Sequence, residues 1–261
     1  MTADAIPALD REIVRAGDLI ASFDSDEWRA ASGCDGWQVR DVVLHMAAVF
    51  QQIADPESLD AAMTGDTEAD ANAVVAGRHE WNDERVAAAY TEWSPKGAAA
   101  LAALQDPAMA DAVVPMSDLG THPLHLLANA IVFDHYCHLR HDIGAAIDRA
   151  ADLPRDDDTL RASLVWMLAG LPQMNAAALA AAPAQPINLV FDGPAASTWT
   201  LAPGTDGWTV VETATDEAPV VRSTAHDFVS WATQRGAWRD LTTGDLDSPG
   251  VADVLDAINV T

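Results

Sequence analysis

The stretch Leu124 to Ile143, LHLLANAIVFDHYCHLRHDI, is where an apolar helical stripe turns ionisable, and its reading decides the fold. At about 100° per residue, Leu127, Ile131, Asp134, His138 and Ala145 fall in one narrow arc, while Arg140 points roughly the opposite way. The arc reads as facing a core. A carboxylate and an imidazole four residues apart on such a stripe are costly to bury unless they bond to each other or to a ligand. A divalent metal would satisfy both at once. His141 and Asp142 lie on the edges of the same arc, where they would orient the ligands or relay protons.

A second polar intrusion lies upstream in Trp37 to Phe50, WQVRDVVLHMAAVF, where Val42, His45, Met46 and Val49 share a face. Asp35 followed by Gln38 reads as a helix start of the capping-box kind. Two facing helices would bring His45, Asp134 and His138 together as two nitrogens and one oxygen. That set suits zinc with a coordination position left open for water or substrate. The rival reading, in which the three side chains simply hydrogen-bond to one another, stays open at this point.

Composition narrows the partners. A hydrophobic fraction of 49% over 261 residues is enough to fill two cores, and the net charge of −26 describes a strongly acidic exterior. With only 14 Lys plus Arg, the chain lacks the basic clusters that nucleic acid or an anionic membrane surface requires. The start, MTADAIPALDREIV, has no basic segment followed by an apolar one, and no apolar run reaches membrane-spanning length; the expectation is a cytoplasmic protein. Cys34 and Cys137 fit a reduced compartment and form no disulfide framework; Cys137 reads as a buried thiol.

Along the chain, helical spacing covers Ile6 to Phe23, the His45 segment, Arg78 to about Leu104 with an interruption at Ser94-Pro95, and Asp158 to Ala181. Asp55 to Asn72 reads as a solvated loop or short-helix region, and Pro115 to Pro123 as a loop. With no convincing strand, residues 1–182 are expected to form an up-and-down four-helix bundle with ligands projecting inward. Past Pro183 the period changes. Short β-prone runs at Ile187–Phe191, Thr198–Leu201, Trp208–Glu212 and Val220–Arg222 are followed by a helix introduced by Thr224 and Asp227, and by a last helix at Val251–Ile258. Residues 187–261 are thus expected to form a small α+β domain, with AAAPAQP (180–186) as linker.

With these residues in place, the chain resembles the mycothiol-dependent maleylpyruvate isomerase family. The likeness rests on WQVRDVVLHM, on FDHYCHLRHDI and on the order of a helical module before a small α+β module. VFDGPAASTWTL and STAHDFVSWATQRGAW are similar to the sterol-carrier-like domain that follows the DinB-like metal-binding bundle in that family. The resemblance implies a multi-domain α plus α+β protein holding a divalent metal, usually zinc, on His45, Asp134 and His138. The family carries Glu at the carboxylate position, so Asp134 shortens that ligand by one methylene. Mycothiol is the implied cosubstrate and a small electrophile the implied substrate, with isomerase and thiol transferase both open. Arginines that hold a dicarboxylate substrate are implied too, Arg235 first and Arg78 or Arg85 second. The alternative is a non-catalytic metal-binding bundle whose C-terminal domain takes a hydrophobic ligand.

Overall fold

Helices α1 (Ala5–Ala21), α2 (Ser25–Arg29), α3 (Val39–Ala54), α4 (Thr67–Gly77), α5 (Asp83–Ala103) and α6 (Leu127–Cys137) build the first of two units, Met1–Pro154. They are seen in a computed structural model that describes residues 5–59 and 64–260. Residues 1–4 of the start and 60–63 of the Asp55 to Asn72 stretch lie outside the described residues. The four longest-packed helices are α1, α3, α5 and α6: α3 lies along α5, and α1 contacts both α5 and α6. The stripe on α3 is buried as its spacing requires, through Val39, Val42, Val43, Met46 and Phe50. By contrast α6 is buried around most of its circumference, with Ala128, Ile131, Val132, His135 and Tyr136 all inside.

Local chemistry moves several expected boundaries. Helix α3 starts at Val39, with Gln38 as its cap and the Gln38 amide donating to the Asp41 carboxylate at 3.0 Å, so the cap lies three residues beyond Asp35. Helix α5 runs unbroken through Pro95, which removes one ladder donor but leaves a helix packed along α3. The expected loop at 115–123 contains a small antiparallel pair, β1 (Val113–Pro115) with β2 (Thr121–Pro123), turned by Ser117 and Gly120 at positive φ. After α6 the backbone widens into a π-helix over His138–Gly144. Such segments are rare and concentrate at functional sites.

The second unit, Arg155–Thr261, contains α7 (Asp157–Met174), α8 (Ala176–Ala181), β3 (Ile187–Asp192), β4 (Ser197–Gly204), β5 (Gly207–Val211), β6 (Val220–Thr224), α9 (Ala225–Ala232), α10 (Trp238–Leu241), β7 (Thr243–Gly244) and α11 (Val251–Asp256). The sheet order is β5-β4-β3-β6-β7; β3 and β6 run parallel and the other neighbours antiparallel. In the register, Leu189 sits opposite Trp199 on one side and Val221 on the other. Phe191 reaches Phe228 of α9 at 5.1 Å between ring centroids. The division at Pro154/Arg155 differs from the expected linker at 180–186, because α7 packs on α9 and β5 and so belongs with the sheet. Its apolar side, Leu160, Leu164, Met167, Leu168 and Leu171, is buried. Among the described residues no helix is long and apolar enough to cross a membrane.

Candidate metal centre

Helix α3 supplies His45, α6 supplies Asp134, and His138 opens the π-turn that follows. The Nε2 atoms of His45 and His138 each lie 3.3 Å from Asp134 Oδ1. The two imidazole rings stand nearly perpendicular, 5.1 Å between centroids. All three side chains remain partly open, with 16%, 17% and 12% of their surface exposed for His45, Asp134 and His138. A metal centre needs such access, and a purely structural core pair does not.

The spacing tests whether a metal fits. A charge-assisted N–H···O bond closes to about 2.7–2.9 Å. Ligand atoms at the corners of a tetrahedron with bonds of about 2.0–2.1 Å are separated by about 3.3–3.4 Å. Both nitrogens therefore stand at ligand spacing from one carboxylate oxygen. The other oxygen, Asp134 Oδ2, is buried and makes no hydrogen bond of good geometry; His135 Nδ1 stands 3.4 Å from it. Two imidazoles and a carboxylate with an open side fit a zinc-type ion.

The π-turn orients the second imidazole. Nδ1 of His138 donates to Asp142 Oδ2 at 2.7 Å, so loss of the other ring proton exposes a lone pair on Nε2, the atom nearest Asp134. Asp142 is fully buried, and the Gly33 amide donates to its backbone carbonyl at 3.1 Å. Glycine is required there, since a Cβ at position 33 would stand 2.5 Å from Asp142 Oδ1. Cys34 Sγ lies 4.0 Å from His138 Nδ1 and makes a second convergence with His138 and Asp142. That set would use the nitrogen already donating to Asp142, which leaves His45, Asp134 and His138 as the better ligand group.

Charge reinforces the geometry. Burial pushes the Asp134 carboxyl up, but the His138 charge and hydrogen bonds from His135, His138 and His45 outweigh it and hold the group well below the usual carboxylate range. Burial likewise pushes His138 down, and it is overcome by the Asp134 carboxylate and by hydrogen bonds to Asp134, Asp142 and Cys34, so the imidazole stays protonated well above its ordinary range. Without metal the two form an ion pair. An ion bound there replaces the proton on Nε2.

The other expected residues have partners of their own. His141 packs beside the Tyr136 ring at 6.4 Å between centroids and is not among the side chains whose ligand atoms converge. Arg78 donates to Gln51 Oε1 at 2.8 Å, and the Arg78 and Arg85 guanidinium groups stand 4.8 Å and 4.0 Å from the Trp81 ring. Arg235, in the second unit, donates from Nη1 to the Thr233 carbonyl at 3.2 Å. Two neighbours of the centre, Trp37 and His135, were not read from the sequence. The Trp37 ring lies 5.4 Å from that of His45 and is held by an indole bond to Asn72 Oδ1 at 2.8 Å. Fully buried His135 meets the Tyr90 hydroxyl at 3.0 Å. The signal for His135 was present, since it lies four residues after Ile131 and three before His138.

The family model for the mycothiol maleylpyruvate isomerase N-terminal domain matches residues 9–144, just over half of the chain. No curated protein matches the sequence. A crystal structure of the mycothiol-dependent maleylpyruvate isomerase is similar in fold, at 14% identity and a TM-score of 0.58 over 94% of this chain and 93% of that one. A histidine-to-alanine mutant of that isomerase is similar as well, with a TM-score of 0.54 at the same identity and coverage.

Proposed function

The chain belongs to the mycothiol maleylpyruvate isomerase N-terminal domain family, and from that membership we propose a metal-dependent enzyme that uses a low-molecular-weight thiol, mycothiol, on a small electrophilic substrate as isomerase or thiol transferase. The observation that carries the reading is the approach of two imidazole nitrogens to one carboxylate oxygen at ligand spacing, on a face that is partly open. In this reading the first unit is a DinB-like metal-binding bundle and the second a sterol-carrier-like domain. A divalent ion, zinc by donor set, would be held by His45, Asp134 and His138, and what it supplies when bound is a lowered pKa for a coordinated thiol near neutral pH.

The chain's own residues do the rest. Asp142 keeps the His138 ring turned so that Nε2 faces Asp134. Trp37 walls the side next to His45 and keeps water from that flank. His141, within the π-turn, remains a proposed proton relay, and Arg235, Arg85 and Arg78 are the proposed cations for carboxylates of the substrate or thiol. The cytoplasm, where small thiols stay reduced, is the proposed place of action. The hydrophobic-ligand alternative has less support, because the family match is to the N-terminal domain of an isomerase and three ligand-type side chains converge on a partly open face.

The test is turnover of an electrophilic unsaturated diacid by the purified protein with mycothiol, read both as cis–trans isomerisation of the diacid, in which the thiol is regenerated, and as thiol consumption, in which it is transferred, with zinc and after chelation. Turnover that disappears on chelation and returns with zinc supports the proposal. Turnover insensitive to chelation, or none in any condition, contradicts it.

A further inference from the structure

Behind the candidate centre the helical unit buries a polar pair that the proposed reaction does not use. His135 is completely inside, its ring 5.0 Å from Phe50, and Tyr90 is 2% exposed. Two polar side chains in an apolar core are costly unless their hydrogen bonds are satisfied. Here the partners fix the tautomer. Nδ1 of His135 faces two acceptors, the Ile131 carbonyl at 3.1 Å and Asp134 Oδ2 at 3.4 Å, so it carries the hydrogen. Nε2 is then the acceptor, and the Tyr90 hydroxyl donates to it at 3.0 Å. At 3.4 Å the branch to Oδ2 is the weak arm of a three-centre bond. It is nonetheless the polar group set against the carboxylate oxygen that His45 and His138 do not approach most closely.

We propose that Tyr90 and His135 position Asp134: the tyrosine fixes the histidine as an Nδ1–H donor, and that donor holds Oδ2 so that Oδ1 alone is presented to the metal. The inference rests on the metal reading above. Asp134 thereby receives from His135 what His138 receives from Asp142, a partner of complementary charge character on its far side. A carboxylate held by one oxygen leaves a coordination position that chelation by both oxygens would occupy, and this open position is the one a thiol needs. Tyr90 and His135 touch neither substrate nor ion, so both are positioning residues.

Cobalt(II), added to chelator-treated protein, is the probe, because its visible absorption reports coordination number apart from any turnover. His135→Leu should weaken cobalt binding by about 10–100-fold and change the absorption envelope. His135→Asn, whose amide nitrogen can stand where Nδ1 stands, should recover most of both. Tyr90→Phe keeps the packing volume and gives a reading even if His135→Leu does not fold; it should shift the envelope in the same direction with a smaller loss. Unchanged affinity and absorption in His135→Leu or Tyr90→Phe overturn the inference, as does a folded His135→Asn no better than His135→Leu. Failure of the unmodified protein to bind cobalt is a different result: it refutes the metal reading, and this inference falls with it.

Discussion

Replacing Glu12 by Gln tests the buried joint that ties α1 to the π-turn. Arg140 Nη1 donates to Glu12 Oε2 at 2.8 Å and Nη2 to Oε1 at 3.0 Å, a bidentate pair with Glu12 fully buried and Arg140 2% exposed. Removing one charge strands the guanidinium, and breaking a buried pair in this way costs about 3–5 kcal/mol. Two contacts survive: the Pro154 carbonyl accepts from Arg140 Nε at 3.0 Å, and the Tyr136 ring lies 4.0 Å from the guanidinium. Those put the expected loss near the lower bound, about 3 kcal/mol, or about 6–12 °C in Tm for a unit of this size. Urea and thermal denaturation of Glu12→Gln against the unmodified protein measure it. Replacing both partners by apolar residues, Glu12→Leu with Arg140→Met, should cost less than Glu12→Leu alone, since the buried guanidinium is no longer stranded; Arg15, which also donates to Glu12 Oε1 at 2.5 Å, loses that partner in both variants. A Glu12→Gln protein within about 0.5 kcal/mol of the unmodified one would show that water reaches the pair and would refute the reasoning.

Asp134→Asn keeps shape and removes charge, so zinc affinity measured by chelator competition should fall tenfold or more; it should also destabilise the metal-free protein, because His138 loses the carboxylate that keeps it protonated. For the metal-free protein, the depressed Asp134 contributes stability that is lost as pH falls below its ordinary range. The raised His138 contributes stability that is complete below its ordinary value and lost as pH rises through its folded one. Urea midpoints of chelated protein should therefore be highest between about pH 4 and 6.5 and decline on either side, while zinc affinity rises as His138 gives up its proton. Residues 155–261 expressed alone should unfold cooperatively, whereas residues 187–261, stripped of α7, should not; the reverse order in circular-dichroism melts would restore the later boundary.

Periodicity located what packing physics makes periodic. The His45 and Asp134 helices, the change of period past Pro183 and the strands that follow are all visible as apolar spacing. The grouping of His45, Asp134 and His138 was legible because ionisable residues interrupted apolar stripes. What escaped was set by contacts distant in sequence. Helix α7 has a buried side whichever unit it joins, so spacing could not say that α9 and β5 cover it. Spacing set Arg140 opposite the candidate ligands, but it could not name its partner: α6 and its extension are buried nearly all round, and Arg140 meets Glu12 of α1. The π-turn also has no spacing signature, because the one extra residue per turn arises where Gly33 and Asp142 meet. His135 was overlooked because the stripe was drawn narrow around Asp134 and His138, and Tyr90, which satisfies it, lies on α5.

Metal titration of chelator-treated protein, followed by elemental analysis after desalting, tests the central claim most directly. The unmodified chain should retain about one zinc per chain, and His45→Ala and His138→Ala, shown to be folded, should each retain almost none. Full occupancy in both variants, or none in the unmodified chain, would contradict a centre built from His45, Asp134 and His138.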